Sequence, residues 1–313
     1  MTAIRRRYFL AAGAAVAGAA LVGCSSDAGD DDGKQPTGGP SESEPPTGPS
    51  GGPLPHGPAA VLRLFDDAPV RARRPGSFGL DRADVRSDGG PVPGPYLRVR
   101  YPARSASPTV ARTYDRPQGG TQLYLPLRDG PVDSLHLRYY LRFPRGFDFV
   151  KGGKLPGLYG GYATSGGHVP DGENGLSTRY MWRSEGRGEV YAYLPTSVEH
   201  GTSLGRGDWS WPVGRWACVE QAVRLNRPGR SDGSVTVLLD GRRVLHHRGL
   251  RFRTTDDLRI EGVFFSTFFG GGDPSWATPR TQHVDFAAFA VSGHAIGPLR
   301  GALSSPLRQT ARR

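Results

Sequence analysis

The chain has 313 residues, room for one large domain with appendages or at most two modest domains. Its 46 glycines and 28 prolines, beside 36% hydrophobic residues, disfavour a helical bundle and favour a turn-rich all-β architecture. A formal net charge of +11 is carried almost wholly by arginine and suits an acidic partner: nucleic acid, anionic membrane or polyanionic sugar. Two cysteines, Cys24 and Cys218, exclude a disulfide-rich scaffold and a multi-cysteine zinc module.

In chain order, Arg5-Arg6-Arg7-Tyr8-Phe9-Leu10 carries a twin-arginine pattern, followed by the apolar run Ala11 to Val22. That run is too short to cross a ~30 Å hydrocarbon core, so residues 1–23 read as an export signal. Leu21-Val22-Gly23-Cys24 resembles a bacterial lipobox, which implies cleavage before Cys24 and lipidation of its thiol. Losing three arginines would lower the formal charge from +11 to +8, still basic. Residues 24–59 are rich in Pro, Gly and Ser without apolar periodicity, and read as a disordered tether. Residues 60–296 read as the folded domain, and 297–313 as a basic, poorly ordered tail.

Within the domain the period-two signal recurs. Leu97, Val99 and Tyr101 alternate with Arg98 and Arg100; Leu135, Leu137, Tyr139, Leu141 and Phe143 alternate with His136, Arg138, Tyr140 and Arg142. Val235 to Leu239 runs into Asp240-Gly241, a two-residue hairpin signal, and resumes at Val244. Gly262 to Phe269 and Val284 to Val291 are further runs of strand length. No dozen residues sustain helical spacing. The reading is all-β: a two-sheet antiparallel sandwich of jelly-roll type. Cys218, in an apolar run, is expected to be a buried, unpaired thiol.

Phosphate-loop, dinucleotide and His-Glu-x-x-His patterns are all missing from the sequence. So is a closely spaced carboxylate set of the kind that hydrolyses glycosides. No histidines fall at metal-ligand spacing. The distinctive segment is 147–193, where cations and phenols gather among glycines. If Ser177-Thr178-Arg179 is extended, Ser177 and Arg179 share a face; Tyr191 and Tyr193 share another by the same alternation.

Four blocks carry a family resemblance: Lys151-Gly-Gly-Lys-Leu-Pro-Gly-Leu-Tyr-Gly-Gly161, Leu176-Ser-Thr-Arg-Tyr-Met-Trp-Arg183, Val190-Tyr-Ala-Tyr193, and Phe264-Phe-Ser-Thr-Phe-Phe-Gly-Gly271 with Ser275-Trp-Ala277. Together they resemble polysaccharide lyase family 14, with its alginate lyases, and the related glucuronan lyases. The resemblance implies a β-jelly roll and β-elimination on a uronate polysaccharide. It places Lys154, Ser177, Arg179, Tyr191 and Tyr193 at the family's active-site lysine, serine, arginine and two tyrosines.

On that reading Arg179 neutralises the uronate carboxylate through a two-bond fork, and Ser177 assists as a donor. Lys154 is base or carboxylate partner, and one of Tyr191 and Tyr193 is the acid; the sequence leaves that division open. Gln122, on the face opposite Leu123 and Leu125, and Trp276, in a glycine-rich turn, are candidate substrate contacts. No cofactor is required, although sandwiches of this kind tolerate a structural calcium. The expected partners are an anionic polysaccharide and, through lipid on Cys24, the outer face of the membrane. The expected state is a monomer without nucleic acid. A non-catalytic polyuronate-binding lectin is the alternative.

Overall fold

The computed structural model describes residues 7–9 and 73–302. The remainder of the export signal, the tether, the first residues assigned to the domain and the last eleven residues lie outside the described residues, as does Cys24.

Fifteen strands are described: β1 (Arg7–Phe9), β2 (Arg73–Phe78), β3 (Ala83–Arg86), β4 (Tyr96–Tyr101), β5 (Thr121–Pro126), β6 (Ser134–Arg142), β7 (Gly152–Gly161), β8 (Gly175–Arg183), β9 (Gly188–Tyr193), β10 (Thr202–Leu204), β11 (Ala217–Arg224), β12 (Gly233–Leu239), β13 (Arg242–Leu250), β14 (Gly262–Phe269) and β15 (Gln282–Ser292). They form two sheets. One runs β13-β12-β11-β6-β15-β4-β3, with β1 beside β15; the other runs β10-β9-β8-β7-β14-β5-β2. The chain crosses between the sheets repeatedly, and the strand pairs are antiparallel, which makes the fold a jelly-roll sandwich. The one α-helix described, α1 (Pro108–Thr113), is a short connector capped by the Ser107 hydroxyl, with Pro108 in its first turn.

The core is built by the expected alternation. Leu135, Leu137, Tyr139 and Leu141 of β6 pack against a layer that includes Leu155, Leu158, Tyr180, Trp182 and Phe265 of the facing sheet. Asp240 and Gly241 adopt φ of 51° and 79°, as a primed hairpin turn requires. Cys218 is free and buried, and burial pushes its thiol up to about 12.

Two features depart from the simple pattern. The outward residues of β6 are not all solvated: Arg138 and Tyr140 are fully buried. Part of the expected tail covers Tyr140, because Leu299 and Ala302 pack there and the Leu299 N–H donates to the Tyr140 hydroxyl at 2.7 Å. Residues 297–302 are therefore packed onto the domain. The second departure is a β-bulge in β7, where the pairing with β8 slips between Leu155 and Gly157. Pro156 sits at the slip; it has no N–H to offer a ladder, and the Tyr139 hydroxyl of the opposite sheet donates to its carbonyl at 3.0 Å.

Candidate active site

The bulge decides which side chains meet. Plain alternation would put residues 154 and 157 on opposite faces; the extra residue puts both on the face away from the core. The register then builds three rows across β7, β8 and β9. Lys154 lies opposite Met181, which lies opposite Glu189; Gly157 opposes Arg179, which opposes Tyr191; Tyr159 opposes Ser177, which opposes Tyr193. On the other side of β7, Phe268 and Phe264 of β14 oppose Lys154 and Gly157, while Gln122 and Tyr124 of β5 oppose Ser266 and Phe264. Gly157 has to be glycine: a Cβ there would lie 2.2 Å from the Thr178 carbonyl oxygen.

Lys154 is 8% exposed. Its Nζ lies 2.9 Å from the Met181 sulfur and 3.5 Å from the centroid of the Tyr191 ring. The amine is thus closely packed despite the glycines that flank it in sequence. Burial, with Arg179 and Arg183 nearby, holds it well below the ordinary lysine value, against an opposing pull from Glu189.

Arg179 is 2% exposed, its guanidinium 4.6 Å from the Phe264 ring centroid. Nη1 donates to Ser266 Oγ at 3.1 Å, and Ser266 donates onward to Gln122 Oε1 at 3.0 Å. Gln122, in turn, donates to the Gly76 carbonyl. Arg179 Nε is buried without a hydrogen-bond partner, and among the described residues no carboxylate forms an ion pair with this arginine.

Tyr191 is half-buried and stands edge-on to Tyr193, ring centroids 5.6 Å apart. Burial raises its hydroxyl above the ordinary tyrosine value, with Tyr193 adding to the shift. Gly201 makes room for it: a Cβ there would lie 2.7 Å from the ring. The Tyr193 hydroxyl accepts from the Gly166 N–H at 3.0 Å. Ser177 departs from the expected donor role. It is fully buried and its hydroxyl donates to the Thr164 carbonyl at 2.7 Å, so it anchors the β7–β8 loop beside Tyr193. Trp276 stands at the other end, its ring against the backbone of Gly271 and Gly152 and 5.9 Å from the Arg183 guanidinium.

With the geometry described, comparison with known proteins decides the family. The sequence profile of polysaccharide lyase 14 matches residues 92–289. The chain belongs to polysaccharide lyase family 14. It is similar to the alginate lyase of Aplysia kurodai, at 29% identity over 78% of this chain and 97% of that one, with a TM-score of 0.64. It shares its fold with the alginate lyase vAL-1 from Chlorella virus (19% identity, 77% and 99% covered, TM-score 0.63). The same holds for alginate lyase Aly36B (22%, 77% and 93%, 0.61). Curated protein sequences give no match.

This family 14 lyase brings Lys154, Arg179, Tyr191, Tyr193 and Gln122 onto one face, with Ser177 beneath the loop and Trp276 at the rim. Sequence reasoning missed Met181, Arg183, Glu189 and Ser266. Alternation carried two and four residues further along β8 from Arg179, and two back along β9 from Tyr191, would have found the first three. Ser266 needed the β14–β5 pairing. Arg183 Nε donates to Glu189 Oε1 at 2.9 Å and Nη2 lies 2.6 Å from the same oxygen, a buried ion pair. Among the described residues, no group of three or more His, Cys, Asp or Glu is placed to hold a metal ion.

Proposed function

We propose that this lyase cleaves a 1,4-linked polyuronate, alginate or glucuronan, by β-elimination. The observation that carries this reading is Arg179: a buried guanidinium that has, among the described residues, an unpartnered Nε and no carboxylate to balance it. A buried charge of this kind is costly unless something pairs with it, and a uronate carboxylate supplies two acceptor oxygens in the matching geometry. A basic chain suits a polyanion as well. The likeness to the Aplysia kurodai alginate lyase supports the same substrate class.

In the reaction, Arg179 withdraws charge from the carboxylate and so acidifies the neighbouring C5 proton. The Lys154 amine, held well below the ordinary lysine value by burial and the neighbouring guanidiniums, takes that proton in its unprotonated form. As the C4–O bond breaks, the glycosidic oxygen leaves with a proton from Tyr191, whose raised value keeps it protonated. One product ends in a C4–C5 double bond; the other regains a free hydroxyl. Ser266 and Gln122 hold Arg179, and Tyr193 holds Tyr191 by ring contact. The twin-arginine pattern and Cys24 support action outside the cytoplasm by an enzyme tethered through lipid.

The test is ultraviolet absorbance of the conjugated double bond on incubation with β-1,4-glucuronan, polymannuronate and polyguluronate. A rise with one polymer, abolished in Lys154→Ala, is expected. Binding without any rise would instead fit a lectin built on a lyase fold.

A further inference from the structure

Beyond the reacting centre, past the row of Lys154 and Glu189, a second guanidinium stands on β8 opposite Gly152. Arg183 is 8% exposed; its Nε donates to one oxygen of Glu189, and Nη2 is held in ion-pair contact with the same oxygen. Nη1 makes no hydrogen bond to the described residues. The Arg183 guanidinium lies 5.5 Å from the Tyr191 ring, the same ring that Lys154 overlies, and 5.9 Å from the Trp276 ring. It therefore bridges the reacting centre and the indole.

Charge at this end is not balanced. Glu189 is fully buried; Oε2 lacks a hydrogen-bond partner, and Arg206 approaches it only to 3.9 Å from an exposed position. One carboxylate thus faces Lys154, Arg183 and Arg206. Lys151 adds a further cation at the rim, hydrogen-bonded to Ser275 in the turn that carries Trp276. An arginine pinned at two nitrogens is pre-organised, and its third nitrogen presents a directed, charged donor at little entropic cost. The indole is fixed as well, because Gly271 and Gly152 leave no side chain between it and the backbone.

We propose that Arg183 and Trp276 form a second uronate subsite: Arg183 Nη1 takes the carboxylate of the sugar next to the cleaved residue, and Trp276 stacks on that sugar's ring. The assignment rests on the polyuronate reading above. A polyuronate presents one carboxylate per residue, so a guanidinium beside the reacting centre reads the charge of the neighbouring unit. Glu189 is its positioning residue.

The experiment is calorimetric binding of di- to hexa-uronates, with neutral cello-oligosaccharides as controls, to the full chain carrying Lys154→Ala so that substrate is not consumed. Arg183→Gln alone would leave Glu189 as a buried unpaired charge and endanger folding, so it is combined with Glu189→Gln. Arg183→Lys is made separately. In both, affinity for the longer oligouronates is expected to fall about tenfold, the scale of one charge-assisted hydrogen bond at a partly open site, and to fall less for the dimer. Neutral oligosaccharides should bind the variants and their parent alike. Trp276→Ala should weaken the longer ligands too.

Equal losses for charged and neutral ligands, or no loss for either, would overturn the subsite. Failure of the lyase reading looks different: the unsubstituted chain binds oligouronates, Arg183 matters, and no unsaturated product forms. If the unsubstituted chain binds no uronate at all, both fall.

Discussion

The Lys154 amine sits 3.5 Å above the centre of the Tyr191 ring. A tyrosine face attracts a cation by roughly 2 kcal/mol or more when water is excluded. Burial and two neighbouring guanidiniums outweigh that attraction, and the amine is held well below its ordinary value. One contact thus joins a nitrogen that gives up its proton early to a hydroxyl that keeps its proton late.

That pairing fixes the pH profile. The rate should rise with pH as Lys154 loses its proton, below the ordinary lysine value of 10.5, and fall only above the ordinary tyrosine value of 10 as Tyr191 ionises. Lys154→Ala and Tyr191→Phe should each lower kcat by at least ~100-fold, the scale of positioned proton transfer. Near-normal turnover in both variants would remove them from the mechanism.

The same lysine should cost stability. Between its depressed folded-state value and 10.5 the unfolded chain holds a proton here that the folded chain lacks. Stability therefore drops as pH falls through that window, until the folded amine is protonated too. Lys154→Met, of similar volume and uncharged, should melt higher than the parent at neutral pH and depend less on pH. Thermal melts from mildly acidic to alkaline pH check this; a variant that melts lower throughout would contradict it.

Arg179 is held by a chain of donors through Ser266 and Gln122. Arg179→Lys keeps the charge and loses the planar fork, so kcat/KM is expected to fall at least ~10-fold. Ser266→Ala should cost less, because it loosens the guanidinium without removing it. Steady-state kinetics on the preferred polymer gives the ranking. A Ser266→Ala loss exceeding that of Arg179→Lys would reverse the roles assigned here.

Most of the sandwich was legible because one face of each long strand is buried: β6, β12, β14 and β15 follow from alternation or apolar runs. Short strands such as β3 and β10 carry too few residues to show a period. The burial of Tyr140 could not be read, since Leu299 and Ala302 return across the sheet to cover it. At the site, the shared faces of Ser177 with Arg179 and of Tyr191 with Tyr193 follow from period two. Family resemblance pointed to Lys154, but the bulge that turns it toward Arg179 is a tertiary feature, steadied by the Tyr139 hydroxyl from the other sheet. Ser177 lay on the expected face, yet its proton goes to a loop carbonyl that no local pattern announces.

The bulge makes its own prediction at Gly157. A methyl group there would lie 2.2 Å from the Thr178 carbonyl oxygen and 2.5 Å from the Arg179 Cα, both backbone atoms of the adjoining strand. Neither can swing aside as a side-chain tip would, so β7 and β8 must separate locally. Gly157→Ala is expected to destabilise the fold by about 1–3 kcal/mol, the usual cost of overpacking. Because the displaced strand carries Arg179, activity should fall further than stability alone explains, measured at a temperature where the variant is fully folded. Gly146→Ala is the control for backbone strain without crowding: its φ is positive, at 73°, and nothing lies within 4 Å of its Cβ position. It should lose stability through strain and keep its turnover. Loss of activity in both, or in neither, would show that close packing at Gly157 does not position Arg179.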